Sequence, residues 1–487
     1  MNRTDQTQIE NRISPQAWWT LVAVSLGTFM LLLDITIVVV ALPDIRTSLH
    51  AGFSDIQWTV DAYSLSLAAV LLPSGSLADL LGRRRVFAGG LAIFTASSLL
   101  CGVAQSGTML VVFRAVQGIG GAAVFATSLA LLAQTFHGRE RGTAFAAWGA
   151  VAGVSTALGP VLGGLLTSGL SWRWIFLVNL PLGVVAIAIT LTQVREFRPG
   201  HARRLDVAGF AVFTAGLVAL VYGLIEASER GWGDGLVVGA LILAAVLLTA
   251  FPFVERAQAQ PMFDLSLFRK PTFVGGSIAA FGINGSLYGM FLYLILYLQN
   301  ALGYDALESG LRLSIITAAA LCTAVPAGRL SAHVNVRWLI GPGLLAIGGG
   351  LLLMRGLDAS SSWTHLIPGF VLAGLGSGLV NPPLAATAVG VVAPQDAGMA
   401  SGINTTFRQV GIATSIAALG SIFATKMAGA TPGPGYAAHF ASALDELLLI
   451  AALLAIVAGA AALLLIRRAD FVSHAPVQEP VQEVAAG

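Results

Sequence analysis

Apolar runs of about 20 residues recur along the whole of this 487-residue chain, and about 20 apolar residues is the helical length that crosses a hydrocarbon core of roughly 30 Å. Fourteen runs are read, near 18–42, 56–78, 86–105, 109–133, 143–168, 174–194, 206–225, 235–254, 272–299, 307–328, 337–355, 364–391, 399–425 and 444–466. The polar stretch from Glu226 to Asp234 is read as a loop between two of them. In lipid every backbone amide and carbonyl must be bonded within its own segment, so runs of this length are expected to be helices. The expected fold is all-α and integral to a membrane. Only 10% of the residues are charged and 56% are hydrophobic, against roughly 25% charged in a soluble domain.

Cys101 and Cys322 fall inside apolar runs and form neither a disulfide framework nor a zinc pattern. The first run is too long for a signal-peptide core and is expected to be a retained span. Fourteen spans return both termini to one side. That side collects eighteen Lys and Arg residues, among them Arg83, Arg84, Arg85, Arg139 and Arg141, whereas the opposite side has six and two more, Arg114 and Arg408, lie within spans. The positive-inside rule then places both termini in the cytoplasm, and the expected location is the inner (cytoplasmic) membrane. A net charge of +2 is too small to indicate nucleic acid.

The connection Gly75-Ser76-Leu77-Ala78-Asp79-Leu80-Leu81-Gly82-Arg83-Arg84-Arg85 has a degenerate echo in Gly328-Arg329-Leu330-Ser331-Ala332-His333-Val334-Asn335-Val336-Arg337, with Ala332 for Asp79 and Asn335 for Gly82. The echo pairs spans one to six with spans nine to fourteen and leaves the seventh and eighth as linkers. The expected division is a cytoplasmic arm at 1–17, a six-helix bundle at 18–194, two linker helices with flanking loops at 195–271, a second bundle at 272–466 and a disordered tail at 467–487. The longest outer loop is expected at 426–443. Two six-span halves about a central cavity form a transporter plan, with the substrate near the bilayer midplane.

Ionisable groups inside spans are functional candidates because each costs several kcal/mol unless it faces protein or water. Asp34 lies in the first span, Asp61 in the second and Arg114 in the fourth, where Gln117 and Gly118 share its helix face. Counted at about 1.5 Å per residue from the outer end, Asp34 lies roughly 12 Å deep, Asp61 about 8 Å and Arg114 about 9 Å. All three are expected to meet in one bundle, either as a proton-handling group or as a static ion pair that sets helix register.

In the connection after the second span, Gly75 is expected to permit close helix approach, Gly82 to make a tight turn, and Asp79 to face an Arg or a helix N-terminus. The fifth span carries Gly149, Gly153, Gly159, Pro160, Gly163 and Gly164, a small-residue face with a bend. Asn404, Arg408 and Gln409 lie in the thirteenth span. Arg408 sits about 14 Å from the inner end, where it lines a cavity, pairs with an acid or serves structure. Trp58, Tyr63, Asn284, Tyr288, Tyr293 and Tyr297 offer an amphipathic pocket for a large apolar cation, or ordinary packing.

These motifs together resemble the major facilitator superfamily, in its fourteen-span branch of drug/proton antiporters, over roughly 15–467. The carriers are Asp34 to Pro43, Gly75 to Arg85, the Gly-Pro-x2-Gly-Gly of Gly159 to Gly164, Trp172 to Phe176 with Asn179-Leu180-Pro181, and Asn404 to Gly411. Val39 stands where the branch usually has Asn. The resemblance implies that Gly75, Asp79, Gly82, Arg83 and Arg84 latch the outward-open state. It also ties Asp34 and Arg114 to proton coupling and makes the fifth-span motif the mark of an exporter. Trp172 and Trp174 also fit an aromatic belt at the outer interface.

Neither lysine, Lys270 nor Lys426, follows a glycine, so there is no Walker A loop for ATP. No His-x3-His pair and no Gly-x-Ser-x-Gly elbow occur. No metal, cofactor or enzymatic activity is implied. The expected function is proton-coupled export of lipophilic or cationic drugs. The alternatives are a dedicated exporter of one metabolite on the same fold, such as a self-made antibiotic or siderophore, and a membrane sensor or scaffold that transports nothing.

Overall fold

The computed structural model describes residues 15–136, 138–197, 206–331, 333–392, 397–430 and 435–471. The arm up to residue 14, Arg198, Arg203 and Arg204, Ala332 of the degenerate repeat, part of the 426–443 loop and the tail from 472 lie outside the described residues, as do the side chains of Arg139 and Arg141.

Every apolar run is helical. In chain order the helices are α1 Pro15–Leu49, α2 Phe53–Leu81, α3 Arg83–Gly102, α4 Gly107–Thr135, α5 Gly138–Gly169, α6 Trp174–Gln193, α7 Val207–Arg230, α8 Gly235–Ala257, α9 Pro271–Ala301, α10 Ala306–Leu330, α11 Arg337–Leu353, α12 Trp363–Gly390, α13 Ala397–Met427 and α14 Tyr436–Leu465. Thirteen are long and apolar enough to cross a membrane among the described residues. The fourteenth, α11, has 17 residues and is about 26 Å long at about 1.5 Å per residue.

Local chemistry sets several ends. Ser106 Oγ accepts from Met109 N at the start of α4, Asp234 Oδ1 from Leu236 N and Val237 N at the start of α8, and Asp305 with Glu308 forms a reciprocal capping box on α10. Some ends differ from the sequence expectation. Pro43 lies inside α1, which continues to Leu49. The helix α7 runs on to Arg230, so the Glu226–Asp234 loop shrinks to four residues, and the ion pair of Arg230 with Glu226 at 2.8 Å supports that last turn. Likewise α13 ends at Met427 and α14 begins at Tyr436, which shortens the outer loop. Residues 467–471 are docked rather than disordered: Asp470 accepts from Thr272 N at 3.1 Å, capping α9, and Phe471 packs beside Gly390.

The packing repeats with an offset of eight helices. The pairs α2–α4, α3–α4, α1–α5 and α3–α6 are matched by α10–α12, α11–α12, α9–α13 and α11–α14. Two six-helix bundles result, α1–α6 and α9–α14. The hairpin α7–α8 lies against α2 and α13 through α7. The bundles meet along two seams, α5 with α10 and α2 with α13. Leu236, Ile242, Leu243 and Val246 of α8 are exposed, as expected of a helix whose solvent is hydrocarbon. Within α9 the spacing loosens into π turns at Asn284–Tyr288 and Tyr297–Ala301, a local irregularity common at functional helices.

Candidate functional site

Helix direction alternates, so the start of α1 and the end of α14 share one side, the terminal side, and the opposite face is the far side. The first bundle buries a connected polar cluster between α1, α2, α3, α4 and α6. Asp34 and Arg114 form an ion pair between Oδ2 and Nη1 with exposures of 0% and 1%. Gln117 joins both, donating to Asp34 Oδ1 at 3.0 Å and accepting from Arg114 Nη1 at 2.8 Å. The Arg114 Nε donates to Thr59 O at 3.0 Å, and its guanidinium lies 4.3 Å over the Tyr63 ring. Ser98 accepts from Gln117 at 3.3 Å and from Asn179 at 3.1 Å. A buried charge pair survives in low dielectric only when further hydrogen bonds satisfy its remaining atoms, and this cluster supplies them.

Asp61 is absent from that cluster. It is fully buried, neither carboxylate oxygen has a hydrogen-bond partner among the described residues, and no bond joins it to Arg114. Its helix face, shared with Gln57 one turn earlier, looks onto the α2–α13 seam, within electrostatic reach of Tyr293. Equal depth does not determine which way a side chain points, and the expected three-residue meeting is corrected to an Asp34–Arg114 pair with Asp61 apart. Asn179 and Ser98 were missed as members of the cluster. In the sequence Asn179 figures only among the residues that carry the resemblance, although an Asn inside an apolar run is itself the signal of a buried partner. Trp172 of the same motif is buried rather than interfacial, whereas Trp174 is exposed.

Below this cluster a cavity of about 520 Å³ opens toward the terminal side, between the terminal-side ends of α2, α4 and α13 and the segment Gln260–Met262. That volume suits a drug-sized molecule. The connection from α2 to α3 forms part of its mouth. Asp79 pairs with Arg83 at 3.3 Å, and Arg83 Nη1 reaches Ala130 O and Gln134 Oε1, each at 3.3 Å. Gly82 has φ +105°, and a Cβ there would stand 2.5 Å from the Glu196 carboxylate. That carboxylate accepts from Arg84 N at 3.1 Å and faces Arg85 at 3.7 Å. Arg84 also donates from its guanidinium to Leu191 O. Glu196 is a third residue that sequence reasoning missed, hidden in an ordinary polar loop. Gly75 departs from expectation: no atom lies within 4 Å of its Cβ direction, and it lines the cavity rather than a helix contact.

The fifth-span glycines divide into two sets. A Cβ on Gly159 would stand 1.8 Å from Thr36 Oγ1, on Gly163 2.7 Å from Ile37 O, and on Gly164 2.6 Å from Ala306 O, while Pro160 O sits 2.1 Å from the Cβ position of Gly310. These are far-side contacts. Toward the terminal side, Gly149 meets nothing within 4 Å and Gly153 only Leu321 at 3.6 Å. Gln57 Nε2 and Tyr293 Oη both donate to Ile416 O, at 2.9 and 2.5 Å, and Gln299 donates to Val40 O at 3.0 Å. The α5–α10 seam is therefore tight on the far side and loose on the terminal side, whereas α2 and α13 stay in contact further toward the terminal side, where a Cβ on Gly402 would stand 2.5 Å from Leu72 Cδ2.

The aromatic residues expected to form one pocket are dispersed. Trp58 packs on Tyr222 of α7, Tyr63 lies under Arg114, Tyr293 is in the far-side seam and Tyr297 packs on Phe440 of α14. Asn284 turns its amide onto Ala280 O. Arg408 bonds Asn404 and Asn381 rather than an acid, and the neighbouring Gln409 is buried with an unpartnered Oε1. No group of three His, Cys, Asp or Glu side chains that could hold a metal occurs among the described residues.

The sequence profile of the Major Facilitator Superfamily matches residues 24–416. The multidrug resistance protein Stp of Mycobacterium tuberculosis is 39% identical over 406 residues, 83% of this chain and 75% of that protein. The puromycin resistance protein pur8 of Streptomyces alboniger is 37% identical over 456 residues, 90% of each chain. Among solved structures, a bacterial homolog of the human lysosomal transporter Spinster, in an inward-facing and occupied conformation, has a TM-score of 0.68 at 17% identity, covering 95% of this chain and 100% of that one. The profile match, these relatives and the two-bundle fold agree: the chain belongs to the Major Facilitator Superfamily.

Proposed function

We propose that this protein exports lipophilic or cationic small molecules across the cytoplasmic membrane in exchange for protons moving inward. One observation carries the reading: a carboxylate buried in a spanning helix, Asp34, is tied to Arg114 in a bundle that, together with the second one, walls a drug-sized cavity at the terminal side. Protonating Asp34 removes the charge that Arg114 answers. The guanidinium must then find other acceptors, which couples proton occupancy to the relative position of α1 and α4. Asp61, buried at the seam without a hydrogen-bond partner among the described residues, is a second proton-carrying candidate. One charge moved through 100 mV supplies about 2.3 kcal/mol, an adequate drive before any pH gradient is counted.

The excess of basic residues on the terminal side supports cytoplasmic termini, so the open cavity faces the compartment from which an exporter loads. Asp79 and the start of α13 at Gly398 stand on walls of the same cavity. Closing its mouth brings a carboxylate toward a helix N-terminus, a favourable charge–dipole contact that suits a latch. The relatives Stp, a multidrug resistance protein, and pur8, a puromycin resistance protein, support drugs as the cargo. The absence of a Walker loop from the sequence supports transport without ATP, and the transporter family supports a non-enzymatic role.

The test is dye uptake into everted membrane vesicles under an imposed acid-inside pH gradient. Several chemically distinct dyes should accumulate and leave again when a protonophore is added. Uptake of a single compound would instead identify a dedicated exporter, and uptake of none a sensor or scaffold.

A further inference from the structure

Arg408 is a membrane-embedded cation with no acidic partner among the described residues. Its Nε donates to Asn404 Oδ1 at 3.2 Å and its Nη1 to Asn381 Oδ1 at 2.8 Å. Both amides are anchored at their nitrogen ends, Asn381 on the Ser377 carbonyl and hydroxyl, each at 3.2 Å, and Asn404 on Gly276 O at 3.5 Å. Their oxygens are thereby held toward the guanidinium. Among the described residues no carboxylate lies within ion-pair distance of Arg408, in contrast to Arg114, and Nη2 makes no hydrogen bond. The side chain is partly exposed.

The direction of that exposure follows from helix geometry. Ser401 and Thr405 line the terminal-side cavity, and Arg408 follows them at i+7 and i+3, on the same face of α13. Phe407, one residue back, points to another face, where its ring meets Phe268. A guanidinium edge turned to hydrocarbon is strongly disfavoured, so the open edge belongs to the aqueous space between the bundles. Tyr288, on the first π turn of α9, lies within its electrostatic reach.

Two neutral amides fix the position of this cation without neutralising it, leaving an unbonded planar donor edge one turn beyond Thr405 on the α13 face that lines the cavity, the geometry that matches an oxyanion. We propose that Arg408 is the recognition site for an anionic oxygen of the transported molecule, a carboxylate, phenolate or enolate, so that the cargo includes anionic and zwitterionic amphiphiles. This rests on the export reading and names a charge class within it.

The experiment measures binding of fluorescein, an anionic xanthene, and rhodamine 6G, a cationic one, to the full chain in lipid nanodiscs by fluorescence anisotropy. The parent should bind both. In Arg408→Gln the ratio of the two dissociation constants should shift against fluorescein by about tenfold or more, the scale of a charge-assisted hydrogen bond, and Arg408→Lys should restore part of it. Asn381→Asp, which places a carboxylate where an amide now holds Nη1, should shift the ratio the same way, and it decides the matter if Arg408→Gln does not fold. Exchanging chloride for gluconate at constant ionic strength should leave fluorescein affinity unchanged. Strong competition by chloride would mean a site for small inorganic anions and would overturn the assignment. An unchanged ratio in the variants, or rhodamine 6G binding to the parent without fluorescein binding, also overturns it while leaving export intact. Binding of neither dye removes the export reading with it.

Discussion

Pro160 and Gly310 meet backbone to backbone across the α5–α10 seam, so closely that a side chain at 310 would stand 2.1 Å from the Pro160 oxygen. Gly310 is thus the partner in the second bundle of the Gly-Pro motif in the first. The contact exists because one residue bends and lacks an amide hydrogen, and the other lacks a side chain. Far-side closure depends on both.

Filling that seam should hold it apart. With Cys101 and Cys322 replaced by Ala, a cysteine at Ser168 reports the far side and one at Gly398 the terminal cavity. Gly310→Val or Gly164→Leu, whose added side chains meet Pro160 O and Ala306 O across the seam, should raise maleimide labelling at 168 and lower it at 398, with efflux nearly lost. Gly153→Leu, whose nearest neighbour is 3.6 Å away, should leave labelling at 168 low. Identical labelling in all variants would refute the split role of this motif.

Asp34→Asn should reduce proton-driven dye uptake to background. Exchange of labelled for unlabelled dye without a gradient should persist, since the cavity is formed by other residues. Thermal stability should fall by about 3 kcal/mol at most, because Gln117 and Thr59 still hold Arg114. Wild-type proton-driven rates would remove Asp34 from the mechanism.

Because Arg114 pairs with Asp34 and not with Asp61, double-mutant cycles should separate the two acids. Stability measurements should give a coupling above about 1 kcal/mol between positions 34 and 114, but within about 0.5 kcal/mol of zero between 61 and 114. Strong 61–114 coupling would restore the three-residue site that helix depth alone suggests.

At the cavity mouth, Asp79→Ala should lower turnover more than dye affinity. Glu196→Ala should do the same to a smaller degree, since Glu196 caps the start of α3 at Arg84 and sits against Gly82. Loss of binding with turnover per bound dye unchanged would mean the loop shapes the substrate site rather than the latch.

The span number, their helical state and the sidedness of charge were legible in the chain because the bilayer imposes its conditions one residue at a time, on length and polarity read along a line. For the same reason Asp34, Arg114 and Gln117 stood out: a polar group in such a run requires a partner whatever surrounds it. The ends of α1 and α7 were not legible, because Pro43 and the Glu226–Arg230 turn are tolerated by a helix already set by its neighbours.

Only the tertiary structure decided which partner each group takes. Depth along a helix leaves its rotation open, so Asp34 and Asp61 looked equivalent to Arg114 until packing turned one toward it and the other to the seam. Rotation also scattered Trp58, Tyr63, Tyr293 and Tyr297 into four environments. The fifth-span glycines read as one uniform small-residue face, yet Gly159, Gly163 and Gly164 are packed while Gly149 and Gly153 stand open. Gly159 and Gly163 pack on α1 inside their own bundle, whereas the tightness at Gly164 and the looseness at Gly153 depend on how two separately folded bundles lie against each other, and those contacts change with conformation while the sequence of each helix does not.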